Sequence, residues 1–91
     1  MKKRLECYIF GRVQLVMFRD FTQRKGRRLG LVGTVKNLKD GSVFAVAEGE
    51  EERLRVFLGY LKKGPILARV DRLKEKWLPA VSEFSDFKIL Y

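Results

Sequence analysis

Histidine is absent from this chain of 91 residues, and cysteine and proline are scarce, with one and two copies. Without histidine there is no imidazole base, no Ser-His or Cys-His nucleophile and none of the common zinc sites. The single cysteine, Cys7, excludes an internal disulfide and fits a reducing cytoplasm. We expect Cys7 to be an inert buried strand residue. These absences exclude much of ordinary hydrolase chemistry.

Long apolar runs are missing as well. The longest, residues 43–47, is far too short to span a bilayer, so we expect no membrane association. Glu6 interrupts the apolar stretch after the basic start, which argues against a secretion signal and favours a cytoplasmic protein. The length and the 46% hydrophobic content predict a single domain over residues 1–91.

Positive charge is concentrated in the first half of the chain. The formal net charge is +9, and residues 1–39 contain eleven cations and two anions, whereas residues 40–91 contain nine of each. This asymmetry suggests an anionic partner for the first half. Charge alone leaves three explanations open with equal weight: a small anion, a nucleic acid, or a solvated surface.

Hydrophobic periodicity predicts the order β-α-β-β-α-β with an extra C-terminal strand. Apolar alternation and turn signals predict strands at residues 5–10, 31–38, 42–48, 69–77 and 84–91. A helix is predicted at 19–28, and a second from 50–52 to 62–63 has apolar residues at i, i+3, i+4 and i+7. Gly26 interrupts the first helix, and a close helix–sheet contact would explain it. The order is typical of a ferredoxin-like α/β (α+β) sandwich, with two helices on one face of a mainly antiparallel sheet.

This topology brings two polar residues to one edge of the sheet. The first two strands, joined by a helix, should run parallel, so Arg19 at the first helix start and Asn37 at the second strand end should meet. A helix N-terminus and an arginine fork favour phosphate, and an asparagine amide can hold a water molecule. The pair suggests phosphoryl transfer to water. Taken alone, an arginine at a helix start is more often a surface cation than a ligand, and Asn37 could simply be a strand-end residue.

Longer motifs strengthen this interpretation. Residues 11–19 (GRVQLVMFR), 29–37 (LGLVGTVKN), 40–43 (DGSV) and 47–49 (AEG) resemble the acylphosphatase family at linked spacings across essentially the whole chain. The resemblance implies hydrolysis of the carboxyl–phosphate bond of acyl phosphates to carboxylate and inorganic phosphate, without metal or organic cofactor. It also implies a monomer that acts on a small molecule.

The resemblance assigns roles by position. Arg19 would bind the phosphate and Asn37 would orient the attacking water. The backbone amides of a phosphate-binding loop would surround the anion; its members are Gln14, Leu15, Val16, Met17 and Phe18. A phosphate oxygen of the substrate would accept the proton, since no histidine is present.

Three residues depart from the family pattern. Leu15 replaces a loop glycine, which suggests a positive φ or a close backbone approach that leucine tolerates poorly. We therefore expect Leu15 to relax the loop and reduce activity. Met17 also stands where glycine is common, and Thr34 replaces a usual tryptophan, which concerns packing.

Two alternatives to an active acylphosphatase remain. One is a catalytically impaired, anion-binding relative of the same fold. The other is a nucleic-acid-binding module of the same topology, with Tyr8, Phe10 and Phe44 stacking on bases across the open sheet face. The third strand contains only one aromatic residue, so we expect no nucleic-acid partner.

Overall fold

The computed structural model describes residues 1–91 as five strands and two helices. The elements in chain order are β1 (Lys2–Arg12), α1 (Phe18–Arg28), β2 (Val32–Asn37), β3 (Val43–Glu50), α2 (Glu51–Lys63), β4 (Arg69–Pro79) and β5 (Phe87–Leu90). No helix has the length and apolar character needed to cross a membrane.

The strands form one mixed sheet in the order β4-β1-β3-β2-β5. Neighbours pair antiparallel except β2 and β5, which are parallel. Because β1 and β2 both run antiparallel to β3, they are parallel to each other and end at the same edge of the sheet. The ferredoxin-like α+β architecture predicted from the sequence is confirmed.

The core lies between the sheet and the helices. Alternate residues of β1, namely Leu5, Cys7 and Ile9, are buried there, as the period-two pattern predicts. The apolar stripe of α2 is buried against them; it consists of Leu54, Phe57, Leu58 and Leu61.

Gly26 marks the closest contact between α1 and the sheet. A Cβ at this position would lie 2.4 Å from the Phe87 ring, which is fully buried. In addition, the Gln23 amide donates to the Phe87 carbonyl at 3.0 Å. The close helix–sheet contact predicted at Gly26 is therefore confirmed, and it fixes α1 against β5.

Strand boundaries differ most from the prediction in the first and last strands: the strand predicted at 5–10 extends over Lys2–Arg12. The strand predicted at 84–91 is only Phe87–Leu90, and Phe84 lies in the preceding loop. The backbone N–H groups of Val81 and Ser82 donate to the buried carboxylate of Glu48 at 2.9 Å each, so they are not available to a strand ladder. Arg4 also donates to Glu48.

Glu48 is ionised in this environment. Its burial favours a higher pKa, but the two N–H donors and Arg4 outweigh burial and hold the pKa below the ordinary glutamate value of 4.5. The loop between β4 and β5 therefore depends on a charged carboxylate.

Candidate active site

A β-bulge directs the chain out of β1 and toward the first helix. The pairing of β1 with β4 shifts register between Phe10 and Gly11. Gly11 has φ +129°, and a Cβ there would lie 2.2 Å from the Arg69 carbonyl oxygen. Only glycine fits this turn, so the backbone itself positions the loop that follows.

Residues 14–18, called the 14–18 loop below, contain two left-handed residues. Leu15 has φ +63° and Met17 has φ +65°. The positive φ expected at Leu15 is present, whereas the relaxed loop expected with leucine is not seen, because Leu15 keeps the left-handed conformation. The backbone N–H groups of residues 14–18 make no hydrogen bond within the chain. Consecutive free N–H groups in such a loop can converge on an anion.

The start of α1 extends this set of free donors. Met17 occupies the N-cap position without a side-chain cap, and the first helical hydrogen bond runs from the Phe21 N–H to the Met17 carbonyl at 3.0 Å. The N–H groups of Arg19 and Asp20 are therefore unpaired as well. They add the positive end of the helix dipole to the loop.

The side chains of Gln14 and Val16 hold the 14–18 loop in place. The Val16 side chain is buried in the core. The Gln14 side-chain amide donates to the carbonyls of Leu38 and Ser42, at 2.8 and 2.9 Å. The amide thus ties the 14–18 loop to the turn between β2 and β3, directly after Asn37.

That turn is itself held by an acidic side chain. Asp40 accepts hydrogen bonds from the hydroxyl and the backbone N–H of Ser42. These two bonds hold the pKa of Asp40 below its ordinary value. The carbonyls that receive Gln14 are therefore fixed in position by an ionised group.

Arg19 carries a charge that no carboxylate neutralises. Its guanidinium donates to the Leu90 carbonyl at 3.4 Å, and its Cζ lies 4.9 Å from the centre of the Tyr91 ring. The adjacent Asp20 pairs instead with Arg24 at 2.8 Å. Arg19 therefore has donors available for an anionic ligand.

Asn37 lies at the end of β2, where its backbone pairs with Val43. Its side-chain amide makes no hydrogen bond to another residue and is not fully buried. The amide can therefore donate to one group and accept from another. This is the capability needed to hold a water molecule.

One open pocket of about 490 Å³ joins these groups. Its lining contains Leu15, Met17, Phe18, Arg19 and Asn37 from the sequence prediction, together with Val13, Asp20, Ile89 and Tyr91. Gln14 and Val16, the other two predicted loop residues, do not line it. Ile89 and Tyr91 were not predicted from the sequence, because the sequence did not indicate that β5 pairs with β2. That parallel pairing brings the C-terminal strand to the same edge of the sheet.

Other reactive groups lie away from the pocket. Burial, followed by the charge of Glu75, raises the pKa of Cys7 to about 12, so the thiol is not a nucleophile at neutral pH. The predicted aromatic group lies on the open sheet face, with the rings of Tyr8 and Phe44 4.6 Å apart. The Phe10 ring is covered by Arg72, whose Cζ lies 4.3 Å from its centre. The nucleic-acid alternative stays a hypothesis.

Comparisons with known proteins agree on one family. The sequence model described as Acylphosphatase matches residues 5–89. An acylphosphatase of Thermus thermophilus is 50% identical over 81% of this chain and 84% of its own. One of Caldanaerobacter subterraneus is 42% identical over 98% of this chain and 99% of its own. The crystal structure of acylphosphatase from Bacillus subtilis superimposes with a TM-score of 0.94 at 32% identity, covering 98% of this chain and 99% of that one.

Proposed function

This chain belongs to the acylphosphatase family, hydrolases of acyl phosphates, and on that premise we propose that Arg19 and Asn37 carry the reaction in the pocket at the start of α1. The observation that supports this most is their convergence. The pocket is lined by Arg19, which no carboxylate neutralises, by Asn37, whose side-chain amide is free, and by residues whose N–H groups make no hydrogen bond in the chain, namely Leu15, Met17 and Phe18.

The phosphoryl group binds to Arg19 and to the N–H groups of the 14–18 loop. A guanidinium presents two parallel donors that match two phosphate oxygens, and the backbone donors face the remaining oxygen. Charge accumulates on these oxygens in the transition state. Fixed donors in the pocket stabilise that charge without having to reorganise.

Asn37 holds the attacking water through its side-chain amide. The water oxygen forms a bond to phosphorus, the bond from phosphorus to the acyl oxygen breaks, and the carboxylate departs with its electron pair. A substrate phosphate oxygen accepts the proton of the water. A carboxylate is a weak base, so its departure requires no general acid, in keeping with the lack of histidine.

We also propose that residues 1–91 act as one acylphosphatase-like domain, as a monomer in the cytoplasm, on acyl phosphates without metal or organic cofactor. The pocket is complete within a single chain, and the thiol is unpaired and buried, which fits a reducing compartment. A molar mass measured by light scattering at the concentration of the activity assay tests whether the protein is a monomer. Hydrolysis that continues in the presence of a chelator tests the independence from metal.

Substitution of Arg19 tests the site assignment. Arg19→Ala should reduce acetyl phosphate hydrolysis by at least about a hundredfold while the far-UV circular dichroism stays unchanged. Arg19→Lys should recover little, because an ammonium group cannot supply two parallel donors.

The matched control is Arg28→Ala. It removes the same charge from the exposed far end of α1, outside the pocket, and should retain activity. Near-normal turnover of either Arg19 variant, or an equal loss in Arg28→Ala, would refute the assignment.

A further inference from the structure

Two large apolar side chains project into solvent beside the cation of the pocket. Leu15 is 99% exposed and Met17 is 66% exposed, and both line the pocket with Arg19. The residue between them, Val16, is buried in the core. Hence the loop packs into the core through Val16 and Phe18, and the side chains of Leu15 and Met17 contribute nothing to the interior.

The backbone gives no reason for apolar side chains at these positions. Both residues have a left-handed conformation, which disfavours leucine and methionine relative to glycine or asparagine. Scattered exposed apolar residues are ordinary. Here, however, two of them line the same pocket, in which six of the nine lining residues are hydrophobic. A pocket that bound only a phosphate would need no such wall.

The geometry separates the polar from the apolar part of a ligand. Arg19, Asn37 and the loop N–H groups bind the phosphoryl end, so the acyl end must lie against the remaining lining. The acidic residue in that lining, Asp20, is already paired with Arg24. It offers repulsion to an anionic acyl group and no binding advantage to a polar one.

We propose that Leu15 and Met17 bind the acyl group and make the enzyme selective for acyl phosphates with bulky, uncharged apolar acyl groups. The inference depends on the proposed function, since the phosphoryl end must occupy the Arg19 side of the pocket. Contact with an aromatic or branched acyl group removes the exposed surface of both side chains from water, whereas an acetyl group is too small to reach both.

The test compares kcat/KM for benzoyl phosphate and acetyl phosphate. For each variant, kcat/KM for benzoyl phosphate is divided by kcat/KM for acetyl phosphate, and this ratio is compared with that of the unsubstituted enzyme. The comparison cancels the intrinsic reactivity of the two substrates and any effect of the substitution that is common to both. Leu15→Ala and Met17→Ala should each lower this ratio by about threefold and together by about tenfold, near the lower end of the discrimination that apolar contacts provide. Both variants keep a Cβ, so the conformational strain of the loop is retained.

Two further variants isolate the acyl contact. Ile66→Ala removes an apolar side chain that is equally exposed, at 98%, but does not line the pocket, so its ratio should not change. Leu15→Asn also removes the apolar chain, and asparagine adopts the left-handed region readily. It should lower the ratio as Leu15→Ala does.

The outcomes separate the inference from the proposed function. If acetyl phosphate is hydrolysed with the expected Arg19 dependence and the ratio is unchanged in the Leu15 and Met17 variants, the acyl-binding role is refuted and the function stands. If hydrolysis of both substrates is independent of Arg19, the proposed site on which this inference rests is refuted. A lower ratio in the pocket variants alone supports the inference.

Discussion

Replacing Leu15 by glycine tests whether the 14–18 loop is strained. An L-residue in the left-handed region is disfavoured by about 1–2 kcal/mol relative to glycine. Leu15 is almost fully exposed, so no buried contact compensates for this strain. In the proposed site its N–H is one of the donors to the phosphoryl group, so relief of the strain would favour loop conformations in which these donors are misaligned.

The magnitude follows from two opposing effects. Leu15→Gly removes the strain from the folded state, but glycine also gives the unfolded chain more freedom, worth about 0.4–1 kcal/mol. The free energy of unfolding should therefore rise by no more than about 1.6 kcal/mol, and by nothing where the two effects cancel. The entropy of the unfolded chain does not affect catalysis by the folded protein, so only the relieved strain changes kcat/KM. A decrease of about 1.4 kcal/mol in the activation free energy corresponds to a tenfold higher rate. We expect kcat/KM to rise several-fold, up to about tenfold.

The assay uses acetyl phosphate, because a larger acyl group would also report the loss of the leucine side chain. Inhibition by inorganic phosphate should strengthen in parallel, since the same donors bind it. Leu15→Ala is the matched control: it shortens the side chain but keeps the Cβ that causes the strain, so it should not show the gain. Equal effects of glycine and alanine on acetyl phosphate, or no gain in either rate or phosphate affinity, would show that leucine does not strain the active loop.

Three more predictions concern other parts of the molecule. Asn37→Ala should lower kcat far more than it raises KM in steady-state kinetics, because the amide positions water; a change in KM alone would make Asn37 a binding residue. Gly26→Ala should reduce the free energy of unfolding by about 1–2 kcal/mol in urea denaturation, since overpacking against Phe87 exceeds the gain in helix propensity; a more stable variant would contradict that contact. The lowered pKa of Glu48 means that its stabilisation is complete above the unfolded-state pKa and is lost as pH falls through the lower folded-state value. The difference in Tm between the unsubstituted chain and Glu48→Gln should accordingly shrink on acidification below pH 4.5, and a constant difference would exclude this role.

The hydrophobic periodicity of the sequence predicted the strands and helices, because each of them has to bury one face. The alternation of Leu5, Cys7 and Ile9 reports one buried sheet face, and the spacing of Leu54 and Phe57 reports one buried helix face. From the elements, topology alone placed Arg19 and Asn37 at one edge. That step needs no side-chain detail, because a helical crossover makes the strands parallel.

The rest of the site depends on contacts that no local pattern encodes. The Gln14 amide bonds two carbonyls more than twenty residues away, and these are available only after the turn between β2 and β3 has formed. Likewise, Ile89 and Tyr91 reach the pocket because β5 joins β2, a choice of strand partner that its short apolar sequence does not specify. The alternating exposure of the 14–18 loop accompanies left-handed residues at 15 and 17. The positive φ of Leu15 could be expected only from the glycine that the resembling family has there, because leucine and methionine do not themselves favour this conformation.

The contact between Gly26 and Phe87 also influences the distance between α1 and β5 at the other end of the helix, where the pocket lies. It fixes the separation of α1 and β5 at one end, while Arg19 and Leu90 are in contact near the other. A side chain at residue 26 would act as a wedge, moving β5 and with it the wall formed by Ile89 and Tyr91. The width of the pocket thus depends on a residue that does not line it, and changes in side-chain volume at 26 and 87 offer a route to a different acyl specificity without substitution of any lining residue.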